Sequence, residues 1–393
     1  MPSGLRLGMW HSAATVGLLL LAPIVIGAQA PAPAVGLGFG IDTTIAEVHD
    51  IVALTRAYLA NPDSTARRRG LWSVGTKLDA RFGDLVTNAY QGFNVTILAV
   101  TPAFPGDSVY AVKLLHANSP KTGEPVSALA LERLFAVRAS GSPFGWQLAG
   151  ALPRLTRDWA RRNAGRITFW YAPGQIQSPS KARETATFVD SVGRLFSVRL
   201  PEHIDAYVTA STDEAWRTMG LDFFPDGSGP ETGFGGRSIP RAGIVLIGDP
   251  RVGEDYLHEF VHVVLSPTLN SRTAAFNEGV AVWLGGHDGH PVTEMYTLLH
   301  KYQLAHPDVT IAQVLGGNSP GGSEASNAMY TTDAVIVEAI FHRTGIPGLL
   351  RFANVTGSAT EVLARLHEFI GPTDTRGIDG WWRAETERLA KAH

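Results

Sequence analysis

Two periods of apolar positions run along the chain. In TIAEVHDIVALTRAYLAN, residues 44–61, the apolar Ile45, Val48, Ile51, Val52 and Leu59 recur at helical spacing and predict an amphipathic helix. From residue 93 the pattern becomes β-rich: FNVTILAV, SVYAVKLLHA, VSALALERLFAVRA and GWQLAGAL are separated by TPAFPGD, NSPKTGEP and SGSPFG. An antiparallel meander ending near Leu152 follows from that spacing. RLTRDWARRNAG then leads into RITFWYAPG, a strand opening a second domain, followed by helical SKARETATFVDSVGRLFSV and strand-like HIDAYVTAS. A Gly-rich run, DGSGPETGFGGRSIPRAG, precedes the apolar strand IVLIG. Past it, helical segments predominate: EDYLHEFVHVVL, AAFNEGVAVWLGG, TEMYTLLHKYQ, TIAQVLGG, a helix over 331–343, IPGLLRFA, ATEVLARLHEFIG and GWWRAETERLAKA. The expected fold class is α+β, with an N-terminal helix-plus-antiparallel-sheet domain over 42–153 and a second domain over 154–393 whose C-terminal half is helical.

Element order in the first domain, a helix and then a meander, resembles the nuclear-transport-factor-like (cystatin-like) domains, in which helices pack on a curved sheet. At the N-terminus, Arg6 precedes AATVGLLLLAPIVIG and the small-residue segment AQA, the layout of a secretory signal over residues 1–30, with a Pro/Ala/Gly-rich spacer over 31–41. The apolar run is shorter than the roughly 20 residues a spanning helix needs, and Pro23 interrupts it. The mature chain is therefore expected to be secreted or periplasmic with no membrane partner, the alternative being retention by an uncleaved N-terminal segment.

Composition adds two exclusions. With 33 basic and 36 acidic residues spread along the chain and a formal net charge of −3, nothing points to nucleic acid. There is no cysteine, so a transition-metal site must use His, Asp, Glu and water. No signal sets an oligomeric state.

Chemistry concentrates in HEFVH. On a helix, residues four apart are 400° round the axis, so His258 and His262 share one face about 6 Å apart along it. Glu259 lies one step further round, out of the same coordination sphere but within reach of a water there. Phe260, Val261, Val263, Val264 and Leu265 are apolar, so the polar trio belongs to a buried helix, where it is costly unless paired or bound to a metal. Catalytic zinc takes three protein ligands and keeps one position open. Glu278 comes 16 residues after His262, in a helix whose Ala275, Val280, Ala281 and Leu284 form an apolar face. His287, Asp288 and His290 in GGHDGHP are alternative ligands, or else line the cleft.

The pair HEFVH and NEGVAVW resembles the gluzincin metallopeptidases, most of all the peptidase MA-like domains of exported bacterial proteins. That resemblance implies a zincin-like domain, one zinc ion per chain on His258, His262 and Glu278, Glu259 as general base, and a peptide or protein substrate. Metzincins would need Gly and His where Leu265 and Thr268 stand, and thermolysin-type enzymes an Asp at Val282. The aminopeptidase Gly-x-Met-Glu-Asn signature is absent. In the family pattern a helix-start tyrosine past the third ligand donates to the oxyanion. Tyr330 is that candidate, ahead of Tyr296 and His300. Gly235 and Gly236 are expected to let a substrate backbone approach an edge strand. Two other functions fit the same motif: a catalytically silent, metal-containing scaffold, and a zinc hydrolase of a non-peptide amide or ester.

Overall fold

The computed structural model describes residues 35–60, 70–74, 93–106, 108–118, 127–223, 235–269, 271, 273–371, 373 and 377–392. The export signal expected at 1–30 and the Gly-rich run up to residue 234 lie outside them. The chain is α+β, with a sheet region first and a helical half last. It divides into two compact units, Met1–Ala151 with Gly220–Gly227, and Leu152–Met219 with Ser228–His393.

In the first unit, β1 (Val35–Leu37) lies in the stretch expected to be spacer and pairs in parallel with β2 (Asn94–Pro102). Between them comes helix α1 (Ala46–Ala60). β2, β3 (Val109–Ala117), β4 (Ala128–Arg138) and β5 (Trp146–Ala149) form the antiparallel meander in chain order. Because side chains alternate across a strand, Val95, Ile97, Val112, Leu114, Leu134 and Ala136 enter one core. There they bury with Ile51, Val52 and Tyr58 of α1.

The second unit begins with one helical turn, Leu152–Leu155, and its first strand is β6 (Ala160–Ala164), a polar strand that sequence periodicity did not predict, paired antiparallel with β7 (Ile167–Tyr171). Helix α2 (Pro179–Phe196) is capped by Ser178, whose hydroxyl accepts from the Lys181 amide, and has Pro179 at its first position. β8 (Ile204–Val208) and α3 (Thr212–Thr218) follow. The chain then contributes β9 (Leu221–Phe223) to the first unit, paired with β4 and tied by Asp222 to Arg133 at 2.7 Å. Gly220, at φ +93, makes that contact: a Cβ there would lie 2.5 Å from the Arg133 carbonyl oxygen.

β10 (Gly236–Ile239) and β11 (Ile244–Ile247) complete the second sheet, in the order β10-β11-β8-β7-β6, with β11, β8 and β7 parallel and the two end strands antiparallel. Every residue of β8 is buried, as a central parallel strand requires. Helices α4 (Leu257–Leu269), α5 (Ala274–Gly285), α6 (Val292–Ala305), α7 (Ile311–Leu315), α8 (Ser323–Phe352), α9 (Ala359–Ile370) and α10 (Gly377–Ala392) follow. Helix α8 absorbs both the expected 331–343 helix and IPGLLRFA, with a break at Gly345 (φ 64) just before Pro347. Trp382 is fully buried and Trp381 packs on the same core, so both serve packing.

Candidate metal centre

Helix α4 is held at its start. The 3-10 turn Gly253–Asp255 leads into it, and buried Glu254 accepts from the Tyr171 hydroxyl at 2.8 Å and the Ser178 amide at 2.7 Å. Thr185 donates to the Glu254 carbonyl at 2.8 Å, and Lys181 pairs with Asp255 at 3.1 Å. Behind the site, Phe260, Val261, Val263, Val264 and Leu265 are all buried. At roughly 1.5–3 kcal/mol each, they outweigh the few kcal/mol it costs to bury the polar side chains of His258 and Glu259 beside them.

His258, His262 and Glu278 come together. Their Nε2 atoms are 3.2 Å apart, and each lies 3.4 Å from Glu278 Oε2. His258 Nδ1 is 3.0 Å from the Gly286 carbonyl, which can only accept, so that nitrogen donates and Nε2 keeps its lone pair for the cluster. In a neutral His258 the Nε2 atom and Glu278 Oε2 therefore both accept, so the contact between them needs an added proton or a cation, whichever tautomer His262 adopts. A tetrahedral zinc with bonds of about 2.0–2.1 Å separates its ligands by about 3.3–3.4 Å. The donor spacing and the donor types, two imidazoles and a carboxylate, both fit that ion, and among the described residues no other His/Asp/Glu group converges in this way.

Without an ion the cluster answers through protonation. Burial alone would lower the His258 imidazole, but the hydrogen bond to Glu278, the Glu259 and Glu278 charges and the Gly286 carbonyl raise it to about 9. Burial would raise Glu278; the two imidazoles beside it hold it well below the usual carboxylate range.

The spacing has local causes in the sequence. Gly279, the glycine of NEGVA, lets α5 lie against α8: a Cβ there would come within 2.4 Å of the Asp333 carbonyl oxygen. Gly285 does the same against α4, where a Cβ would meet the His258 nitrogen at 2.6 Å. HDGH is a two-residue hairpin turn in which His287 and His290 exchange backbone hydrogen bonds at 3.0 and 2.8 Å. Asp288 (φ 49) and Gly289 (φ 79) take its two left-handed positions.

That turn decides among the alternative ligands. His287 stacks on Tyr330, centroids 4.3 Å apart, and sits 5.6 Å from the His258 ring, so it walls the site. Burial lowers its imidazole and favours the neutral form. Asp288 accepts from the Tyr256 hydroxyl at 3.2 Å, and His290 pairs with Glu294 at 3.0 Å. None of the three joins the donor group.

Glu259 is buried and forms no hydrogen bond to a described residue, and its charge acts on His258, Tyr256, His287 and Tyr330. Tyr330 meets the His258 ring edge-on at 6.3 Å. Burial and the Glu278 and Glu259 carboxylates hold its phenol above the ordinary value, with Arg237 pulling the other way. Tyr296 instead donates to Glu338. Gly235 and Gly236, expected to admit a substrate backbone, make room for the Tyr256 ring, which a Cβ on either would meet at 2.6 and 2.7 Å.

Sequence inspection passed over three residues: Tyr256, Asp333 and Arg237. Asp333 is buried, its Oδ1 has no hydrogen-bond partner among the described residues, and burial with the Glu278 charge pushes its carboxyl well above the usual range. Its signal was a lone acid inside the apolar helix of YTTDAVIV. Scanned against models of known families the chain matches none, and no curated protein matches it.

Proposed function

We propose that the second unit is an exported zinc metallopeptidase of gluzincin type, similar to the peptidase MA-like domains, that hydrolyses peptide bonds. The observation that carries this is the triangle of two imidazole Nε2 atoms and one carboxylate oxygen at 3.2, 3.4 and 3.4 Å, the separations that tetrahedral zinc imposes on its ligands. His258, His262 and Glu278 would hold one ion per chain, which would polarise the scissile carbonyl and bring the pKa of a water toward 7. Glu259 takes the proton of the attacking water on its carboxylate and returns it to the leaving nitrogen. Tyr330 keeps its proton and donates a hydrogen bond to the developing oxyanion. β10 is an end strand of its sheet and supports a substrate laid along it in extended form. The first unit, a helix sharing one core with an antiparallel meander, is proposed to be cystatin-like.

Metal analysis of the purified protein with a digest of a mixed peptide library tests this. The expected result is close to one equivalent of zinc and cleavage that stops on chelation and returns with zinc. Less than a tenth of an equivalent after gentle preparation, together with no gain of activity on adding zinc, would sink the proposal.

A further inference from the structure

A tyrosine that stabilises an oxyanion has to be aimed without being tied. Its hydroxyl must stay free to meet the developing oxygen at about 2.7–3.1 Å, so no hydrogen bond at its polar end can fix the ring. Tyr296 shows the opposite case, its hydroxyl given to Glu338. The orientation of Tyr330 has to come from the faces of its ring, and two other rings meet it. The His258 ring lies edge-on at 6.3 Å, and the His287 ring covers one face at 4.3 Å with an interplanar angle of 23°. The stacked ring is the closer of the two, and it opposes any turn of the phenol toward that side.

His287 can hold another ring because its own backbone is fixed. It opens the two-residue turn that His290 closes by exchanging backbone hydrogen bonds with it. Asp288, next along the turn, is held by the Tyr256 hydroxyl at 3.2 Å. Gly286, just before it at φ +73, fits so closely that a Cβ would lie 2.1 Å from the His290 carbonyl oxygen. The Gly286 amide donates to the Val282 carbonyl of α5 at 2.8 Å, and its carbonyl accepts from His258 Nδ1 at 3.0 Å. Two successive residues of one turn therefore act on the site from different sides. Gly286 decides which nitrogen of His258 faces Glu278, and His287 lies on Tyr330.

We propose that His287 is a positioning residue whose ring holds the Tyr330 phenol in the orientation from which its hydroxyl donates to the oxyanion. This rests on the peptidase reading above. An aromatic stack favours the stacked orientation by roughly 2- to 10-fold. A phenol turned away does not donate, so the effect belongs in kcat.

The test is a double-mutant cycle on peptide hydrolysis by the zinc-loaded protein. His287→Ala should lower kcat roughly 2- to 10-fold, with KM and zinc affinity little changed. His287→Phe, which keeps a ring over the phenol, should restore most of that loss. In a Tyr330→Phe background His287→Ala should lower kcat no further, because the hydroxyl that His287 aims is already gone. An equal loss in both backgrounds overturns the proposal, since a merely structural contribution would not depend on that hydroxyl. A second arm needs no cleavage: 3-fluorotyrosine is placed at position 330 and read by fluorine NMR. The stacked ring should displace its resonance, His287→Phe should keep it displaced, and His287→Ala should move it toward that of fluorotyrosine in the unfolded chain. A resonance indifferent to the His287 ring overturns the proposal whether or not the protein cleaves peptides. A resonance that depends on His287 in a protein that cleaves nothing sinks the peptidase reading and leaves the hold on Tyr330 standing.

Discussion

Helix α8 borders two clusters built from the same three side-chain types. Toward its C-terminal half, Glu338 accepts from the Tyr296 hydroxyl and faces the His342 ring at 3.2 Å, so each carboxylate oxygen meets a group able to donate. Toward its N-terminal half, Tyr330 meets the His258 ring, and the Nε2 atoms of His258 and His262 converge with Glu278 Oε2 at 3.2–3.4 Å, where a neutral His258 has no proton to give the carboxylate. The first cluster is complete as it stands. The second is complete only with a proton or an ion, and that difference in donor count separates a structural polar knot from a site.

The largest expected effect tests the group that neither cluster absorbs. Glu259→Gln should lower peptide hydrolysis by roughly 10²–10⁴-fold while the protein keeps one equivalent of zinc, read by metal analysis alongside kcat. Cleavage at the wild-type rate would remove Glu259 from the chemistry. Tyr330→Phe comes next: loss of an oxyanion donor costs roughly 10²–10³-fold in kcat, with KM and zinc content little changed. If KM rises and kcat holds, Tyr330 is a binding surface instead.

The clusters should then part under matched substitutions. Glu278→Ala leaves two ligands and should weaken zinc by more than the roughly 10–100-fold that loss of an outer-shell partner costs, measured by competition with a chelating dye. Glu338→Gln should leave zinc affinity as it was and lower stability by about 1–3 kcal/mol in urea unfolding. A loss of zinc in Glu338→Gln would mean the two clusters are one.

Much of this was legible from spacing. HEFVH on an apolar helix puts two imidazoles on one face; Glu278 as the third donor came from the resemblance of NEGVAVW to the gluzincins, with His287, Asp288 and His290 left open as alternatives. NEG and HDGH also carried structural information: a glycine where two helices touch at Asp333, and two left-handed positions that stack His287 on Tyr330. What periodicity could not supply was long-range pairing. β9 is three residues long and joins a strand some ninety residues earlier, and β6, ARRNA, is a polar end strand defined by its partner alone. Gly235 and Gly236 were legible as close-approach positions, but which group approaches, the Tyr256 ring, depends on tertiary packing.

A last expected effect is a dependence on pH whose sign differs between the metal-free and zinc-loaded forms. In the metal-free protein His258 is raised to about 9 from an ordinary value near 6.5. A group whose folded pKa is raised stabilises fully below its unfolded pKa and loses that contribution as pH climbs through the folded one. Glu278, held low, contributes above the ordinary carboxylate range and loses its part only in acid, so it adds no slope at neutral pH. Between pH 6.5 and 9 the chelated protein should therefore lose stability, by at most about 1.4 kcal/mol per pH unit for one proton. Zinc requires the same imidazoles deprotonated, so the loaded protein should hold or gain stability over that window. Tm measured at steps across it, with and without chelator, separates the two, and Glu278→Gln should reduce the chelated slope by removing one of the two carboxylate charges that keep the proton on His258. Parallel curves would show that the proton and the ion do not compete for one cluster.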